Sequence, residues 1–283
     1  MSEVAAHGWD ASQAALPAWS LPKDAVDRIA LPAHWPERVT REWAWGGSKG
    51  KGARVCILDS GVEAGHPLVG DLESAVTISL GENEEVIADD DTEGDVSGHG
   101  TACAGIVRAL APACSLSSVR VLGASFTGTG AVLLAGLRYA VEHGFDVINM
   151  SLSTTKKPFA VVLHELADNA YFRRTLLVAS AHNMPVESYP WKFSSVISVG
   201  SHEEPDPLTF FYNPNPPVEF FGRGVNVEVP WTGGRSLTVS GNSFATPHLT
   251  GICALILAKH PELTPFQLKS VLYLTATNVG GGS

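Results

Sequence analysis

The sequence predicts an α/β fold of three layers, with helices on both faces of a mostly parallel central sheet. Strand-like and helical segments alternate along the chain, which favours a parallel sheet covered on both sides. A length of 283 residues and a hydrophobic content of 45% allow one large domain with a sizeable core. Strands are expected at 53–58, 116–122, 145–150, 175–180 and 195–200, and helices at 99–110, 131–143, 159–172 and 243–259.

Local signals mark the ends of two of these helices. Gly144 follows the helix expected at 131–143 and is interpreted as its C-cap. Thr264, Pro265 and Gln267 predict the start of a last helix, because they match a capping box with proline in the first turn. The stretch 208–239 is rich in proline, glycine and β-branched residues, which indicates loops with short strands.

Four prolines interrupt residues 1–44, so this segment is predicted to be an irregular N-terminal arm. Its residues Trp9, Trp19 and Trp35 are expected to anchor it across a domain. Two interpretations stay open: a wrap with no function of its own, or a regulatory arm near a functional cleft. Residues 45–279 are predicted to form the main domain, and 280–283 are interpreted as a linker remnant.

Composition excludes several classes of partner. The net charge of −10 at pH 7 disfavours nucleic acid and anionic membranes, because phosphate binding requires clustered lysine and arginine. No apolar run approaches the ~20 residues that span a bilayer, and residues 1–17 lack a secretory signal pattern. Cys56, Cys103 and Cys253 are predicted to be free buried thiols, since no cysteine spacing suggests zinc. Together these features predict a cytoplasmic protein.

Three distant segments contain the parts of a nucleophilic triad. Asp59 directly follows a strand-like run, so it is expected at the carboxyl edge of the sheet, where reactive groups gather. His99 and Ser243 each begin a helix, beside glycines that permit tight turns. In such a triad His99 removes the proton of Ser243, and Asp59 orients the imidazole. The order acid, imidazole, hydroxyl is one of the three chain orders known to build this geometry.

These segments resemble those of the subtilisin-like serine proteases. The resemblance rests on Asp-Ser-Gly at 59–61, His-Gly-Thr-x-x-Ala-Gly at 99–105 and Gly-x-Ser-x-Ala-Thr-Pro-His at 241–248, and it extends over about 43–277. It implies a subtilisin-like fold and a serine endopeptidase that hydrolyses peptide or protein substrates through an acyl-enzyme on Ser243. It also implies that the Cys103 thiol lies under His99, which would make the protein sensitive to mercurials.

The resemblance implies a fourth catalytic residue, Asn183. Its side-chain amide would complete an oxyanion hole with the backbone N–H of Ser243. His182 stands where the family usually has glycine, and it is either a partly exposed loop residue or a bulky group that narrows the cleft. Met184 stands where relatives often have an acid, which indicates little attraction for a basic side chain.

A substrate cleft is implied between two extended segments, where a peptide would bind by strand addition. The residues that the resemblance assigns to it are Ser151, Leu152 and Ser153 on one wall, Val121, Leu122, Gly123 and Gly128 on the other, and Ser188 at the bottom of the first specificity pocket.

No cofactor and no metal ligand are assigned. The segment 128–130 lacks the third glycine of a dinucleotide fingerprint. Carboxylates are concentrated at 82–95, where they form either a solvated surface loop or a Ca²⁺ site, although their spacing matches no EF-hand.

The sequence therefore predicts a serine protease, with the processing of a peptide or protein precursor as the finer interpretation. Two other classes stay open: a peptide ligase or acyl transferase with the same triad, and a non-catalytic binding protein with this fold. The oligomeric state is not predicted.

Overall fold

The computed structural model describes residues 20, 21, 25, 29, 35–83, 85–125 and 127–279. The chain divides into two compact units, Met1–Trp35 and Pro36–Ser283. Most of the first unit, including Trp9 and Trp19, lies outside the described residues, and so does the expected linker at 280–283. The second unit begins earlier than the predicted boundary at residue 44, because that boundary falls inside helix α1 (Arg41–Trp45), whose Ala44 and Trp45 are buried in the core.

A nine-stranded sheet forms the centre of the second unit, with the strand order β3-β2-β4-β1-β5-β6-β7-β9-β8. Neighbours from β2 through β9 pair in parallel, while β3 and β8 are antiparallel at the two edges. The strands are β1 Arg54–Asp59, β2 Ser74–Leu80, β3 Val86–Asp90, β4 Ser115–Arg120, β5 Val147–Met150, β6 Leu176–Ser180, β7 Ile197–His202, β8 Phe211–Tyr212 and β9 Phe220–Arg223. A separate antiparallel hairpin joins β10 Val227–Trp231 to β11 Arg235–Val239.

Helices cover both faces of this sheet. They are α2 His99–Leu110, α3 Gly130–Glu142, α4 Ala160–Phe172, α5 Asn242–Lys259 and α6 Pro265–Thr275, with a 3₁₀ turn at Lys157–Phe159. Side chains alternate across β1, so Val55 and Ile57 join one core with α2, α5 and α6, while Cys56 and Leu58 join a second core with α3 and α4. This arrangement confirms the predicted three layers with a mostly parallel sheet.

The predicted cap signals hold in the structure. His143 is the C-cap residue of α3, and Gly144 follows it with φ of +67°, the left-handed conformation that glycine adopts without steric cost just after a helix. The hydroxyl of Thr264 accepts from the backbone N–H of Gln267, and the Gln267 side chain accepts in return from the N–H of Thr264. Helix α6 therefore begins with the expected capping box.

The acidic stretch at 82–95 differs from the expected solvated loop. Val86–Asp90 forms β3, an exposed edge strand paired with β2. Asp91 then turns inward: its side chain is fully buried and pairs with Arg120 at 3.0 Å. Asp95 also turns inward and organises the loop before α2. The prediction of a solvated loop is wrong for these two aspartates, because Asp91 pairs with the distant Arg120 and Asp95 accepts hydrogen bonds from Ser60 and from the loop that follows it.

Within the described part of the chain, no helix is both long enough and apolar enough to cross a bilayer.

Candidate active site

Asp59 ends β1 with a side chain that is completely buried. Its Oδ1 accepts from the backbone N–H of Ser60 at 2.8 Å. Both carboxylate oxygens contact Nδ1 of His99, at 2.9 and 3.0 Å. A buried carboxylate needs such partners to stay ionised, so this contact places the proton of a neutral His99 ring on Nδ1 and leaves Nε2 as the free base.

The loop that delivers His99 is organised around Asp95. One carboxylate oxygen of Asp95 accepts from the N–H groups of Ser97 and Gly98 and from the hydroxyl of Ser60, at 2.8–3.0 Å. The other accepts from the N–H of Thr101 in the first turn of α2, at 2.7 Å. Charged acceptors form hydrogen bonds that are stronger than neutral ones, so Asp95 ties the start of α2 to the end of β1.

Close packing beside His99 requires glycine at two positions. Gly98 has φ of +98°, and a Cβ there would lie 2.2 Å from the Trp231 ring. A Cβ on Gly100 would lie 1.9 Å from the carbonyl oxygen of Gly61. Both distances are far below van der Waals contact, so larger residues at either position would push His99 away from Asp59.

Ser243 lies in the first turn of α5, and its carbonyl has an unusual set of partners. In a regular helix this oxygen would accept from the N–H of residue 247, but Pro247 has no N–H. The oxygen instead accepts from the Ser151 hydroxyl at 2.7 Å and from the Cys103 thiol at 3.7 Å. Ser243 is thereby linked both to the end of β5 and to helix α2.

A buried polar chain supports Ser151. The Asn149 side chain donates to the Ser151 hydroxyl at 3.0 Å, and Thr250 of α5 donates to Asn149 Oδ1 at 3.0 Å. Asn149 and Thr250 are fully buried. Because buried polar groups are costly unless they are paired, this chain fixes α5 in one position above β5.

Asn183 follows β6 and lies next to the start of α5. Its Oδ1 accepts from the N–H of Asn242 at 3.0 Å, which orients the amide nitrogen away from that contact. A Cβ on Gly241 would lie 3.5 Å both from Asn183 Nδ2 and from Ser243 Oγ. The two polar atoms therefore flank one small space, and glycine at 241 leaves that space open.

His99, Asn183 and Ser243 line one open cleft of about 620 Å³. Of the residues predicted to bind substrate, the structure brings five to this cleft: Ser151, Leu152, Ser153, Leu122 and Gly128.

The other three predicted substrate residues do not line the cleft. Val121 is buried and donates its N–H to the Asp59 carbonyl, and Gly123 donates to the Thr127 carbonyl. Ser188 is fully buried, with its hydroxyl accepting from the Trp191 indole at 2.7 Å, so it does not form the exposed bottom of a pocket.

His182 lines the cleft and is half-buried. Its Nδ1 accepts from the backbone N–H of Met184 at 3.0 Å, which fixes the ring against the following turn. Met184 itself is 63% exposed and does not line the cleft. Sequence reasoning missed Thr154 and Lys156, which also line it, because they lie beyond the end of β5 in a segment without a recognisable motif.

The electrostatic environment favours a protonated His99. Burial lowers the pKa of His99, but the adjacent Asp59 carboxylate outweighs burial, so the pKa lies well above its ordinary value of 6.5. The Cys103 Sγ lies 4.0 Å from His99 Nδ1, and burial raises the pKa of this thiol. Cys103 is therefore a neutral thiol at pH 7.

Among the described histidine, cysteine and carboxylate side chains, Asp59, His99 and Cys103 form the group whose ligand atoms are close enough to share a metal ion, within 4.8 Å of one another. No such group forms among the described carboxylates of 82–95. The Ca²⁺ interpretation, which also involves backbone oxygens, stays a prediction.

An acid, an imidazole and a hydroxyl at the carboxyl edge of a parallel sheet are the components of a serine hydrolase. Residues 50–283 match the model of the subtilase family. The chain is 34% identical to subtilisin DY of Bacillus licheniformis over 249 residues, covering 83% of this chain and 87% of that protein. It therefore belongs to the subtilase family, and it is a serine protease.

Other relatives agree with this assignment. A thermostable alkaline protease of Halalkalibacterium halodurans is 34% identical over 83% of the chain, which spans 64% of that protein. A solved structure, described as a cold adapted subtilisin-like serine proteinase, superposes with a TM-score of 0.66 at 25% identity, covering 84% of this chain and 88% of that one. The predicted subtilisin-like fold is confirmed.

Replacing Asp95 with alanine removes the acceptor of four hydrogen bonds. We expect Asp95→Ala to lower the free energy of unfolding by about 2–3 kcal/mol and to lower kcat/KM as the loop before His99 loosens. Urea unfolding and peptide hydrolysis measure the two effects. Asp89→Ala, on the exposed edge strand, is the matched control and is expected to change neither. Equal behaviour of the two variants would contradict the role assigned to Asp95.

The raised pKa of His99 predicts an alkaline pH profile. A general base must be neutral, so kcat/KM should rise with pH through the His99 pKa, with the midpoint of the acid limb above pH 6.5. Asp59→Asn should move this midpoint to lower pH, because burial is then unopposed, and should lower kcat by about 10⁴-fold. A midpoint that does not move in Asp59→Asn would show that another group controls the limb.

The Cys103 thiol predicts inhibition by mercurials. A mercury ion bound to Cys103 Sγ would lie against His99 and the carbonyl of Ser243, so we expect loss of peptide hydrolysis. Cys103→Ser should keep activity in the presence of the mercurial. Cys114→Ser, which changes another buried thiol, should remain as sensitive as the wild type. If Cys103→Ser is inhibited as strongly as the wild type, mercury acts elsewhere.

Proposed function

We propose that Asp59, His99, Ser243 and Asn183 are the catalytic residues of this protease. The observation that carries the proposal is the contact of the buried Asp59 carboxylate with His99 Nδ1 at 2.9 Å, on the wall of the cleft that His99 shares with Ser243 and Asn183. This contact orients Nε2 as the base that activates a hydroxyl in the cleft.

In the proposed reaction, the Ser243 oxygen attacks the carbonyl carbon of a bound peptide while His99 takes its proton. The oxyanion that forms is stabilised by the Asn183 amide and by the N–H of Ser243, which lies in the first helical turn, where N–H groups lack helical partners. His99 then gives the proton to the leaving amine as the C–N bond breaks. Water repeats the sequence on the acyl-enzyme and releases the acid.

We also propose that the protein processes a peptide or protein precursor rather than degrading proteins generally. The support is the differing chemistry along the cleft. Leu122 and Leu133 make one part apolar, whereas Ser153 and Thr154 make another part polar. A cleft of this kind distinguishes between sequences, because each part accepts a different class of side chain.

A fluorophosphonate probe tests the proposed triad. We expect the wild type to be labelled at Ser243 and expect Ser243→Ala to lose labelling. His99→Ala and Ser243→Ala should each lose nearly all hydrolysis, by about 10⁶-fold as in subtilisin, and the double variant should be no slower than either. A double variant far slower than both would show that the two residues act independently. Absence of labelling in the wild type would support the non-catalytic alternative.

Mass-spectrometric profiling of a peptide library tests the processing role. A narrow set of cleavage sites would support it, and cleavage at most positions would contradict it. The same assay with an added amine separates hydrolysis from ligation, since a ligase would transfer the acyl group to the amine.

A further inference from the structure

The part of the cleft beside Ser243 lies between two segments that leave the sheet. Strands β5 and β6 are parallel neighbours, with Met150 opposite Ala179. Beyond their ends, residues 151–156 and 180–183 both contribute to the cleft, and an antiparallel bridge pairs Thr154 with Tyr189. We call this space the acyl-side pocket, because Ser151, which lines it, donates a hydrogen bond to the backbone carbonyl of Ser243. We expect the side chain of the residue whose carbonyl is attacked to lie in this space, because the resemblance places the first specificity pocket beside residues 151–153.

The charge of this pocket is opposite in sign to that of the whole chain. The protein carries a net charge of −10, yet the described residues that line the cleft include no aspartate or glutamate. Their one permanently charged side chain is Lys156. The second ionisable group on the pocket wall, His182, is neutral or positive and never repels an anion.

Lys156 has no carboxylate partner among the described residues, unlike Lys192 and Lys269. Lys192 pairs with Glu187 at 2.9 Å, and Lys269 pairs with Glu219 at 2.8 Å. The neighbouring Lys157 lies outside the cleft lining; hydrogen bonds from Lys192 and Tyr189 lower the pKa of Glu187, and the charge of Lys157 adds a smaller effect in the same direction. The Lys156 ammonium is thus left available to an anion that enters the pocket.

We propose that the acyl-side pocket selects an acidic side chain, aspartate or glutamate, with Lys156 as the residue that determines this specificity. The inference rests on the proposed function, because it assumes attack by Ser243 on a peptide bound in this cleft. A carboxylate that leaves water for a cleft requires a cationic or hydrogen-bonding partner. Lys156 supplies the cation, and Ser153 and Thr154 supply hydroxyl groups on the same wall.

Matched peptide substrates test this specificity. Four peptides share one sequence and differ only in the residue before the cleaved bond, which is Glu, Gln, Leu or Lys. At low salt we expect kcat/KM for the Glu peptide to exceed that for the isosteric Gln peptide by about fivefold. The Lys peptide should have the lowest kcat/KM of the four. The Glu/Gln ratio should fall as salt is added, because ions screen charges that are accessible to water.

Charge variants assign the effect to one residue. Lys156→Met should bring the Glu/Gln ratio to about 1, and Lys156→Glu should make Lys a better substrate than Glu. The matched control is Lys157→Met, which removes the same charge one residue away and should keep the wild-type ratio. Lys156 is exposed, so both of its variants are expected to fold, and thermal melts check this.

The outcomes separate this inference from the proposed function. If the wild type cleaves the Gln and Leu peptides at least as well as the Glu peptide, the acidic preference is overturned, while the proposed protease function stands. An acidic preference that is unchanged in Lys156→Met, or lost equally in Lys157→Met, overturns the role of Lys156. A wild type that cleaves none of the four peptides and resists the fluorophosphonate probe overturns the proposed function itself.

Discussion

The carbonyl group of Ser243 is the point on which the geometry of the site depends. Pro247 removes the helical donor that this oxygen would otherwise have, and the freed oxygen binds Ser151 and Cys103. One of these two side chains follows β5 and the other belongs to α2. A single carbonyl thereby joins the nucleophile, the helix of His99 and the wall of the substrate cleft.

The electrostatics of the site follow from the same close packing. Asp59 is buried because β1 ends against α2, and the close approach of Gly100 to Gly61 leaves no room for water between them. The carboxylate then acts on His99 with little screening, which raises the pKa of the imidazole. Asp95 contributes a second charge that holds the loop in this position. Asp59 therefore acts on His99 by direct contact, and Asp95 acts by holding the loop that positions it.

Much of this could be predicted from local sequence. The strand before Asp59, the helices after His99 and Ser243, and the capping box at Thr264 are all encoded in short segments, and the structure contains each of them. Other features could not be predicted, because they depend on side-chain and backbone contacts that no sequence pattern specifies. Asp91 is buried only because Arg120 of β4 lies beside it. Ser188 is withdrawn from the cleft by its bond to Trp191, and β3 exists only as a partner of β2.

The sequence by itself determined which chemical groups are present, the order in which they occur and the family to which they point, because short motifs carry that information. Only the tertiary structure decided which side chains share the cleft. The course of the chain beyond β5 and β6 is set by packing and by bridges such as Thr154 to Tyr189, and no local pattern specifies it. The same packing makes Lys156, and not its neighbour Lys157, one of the residues that line the cleft.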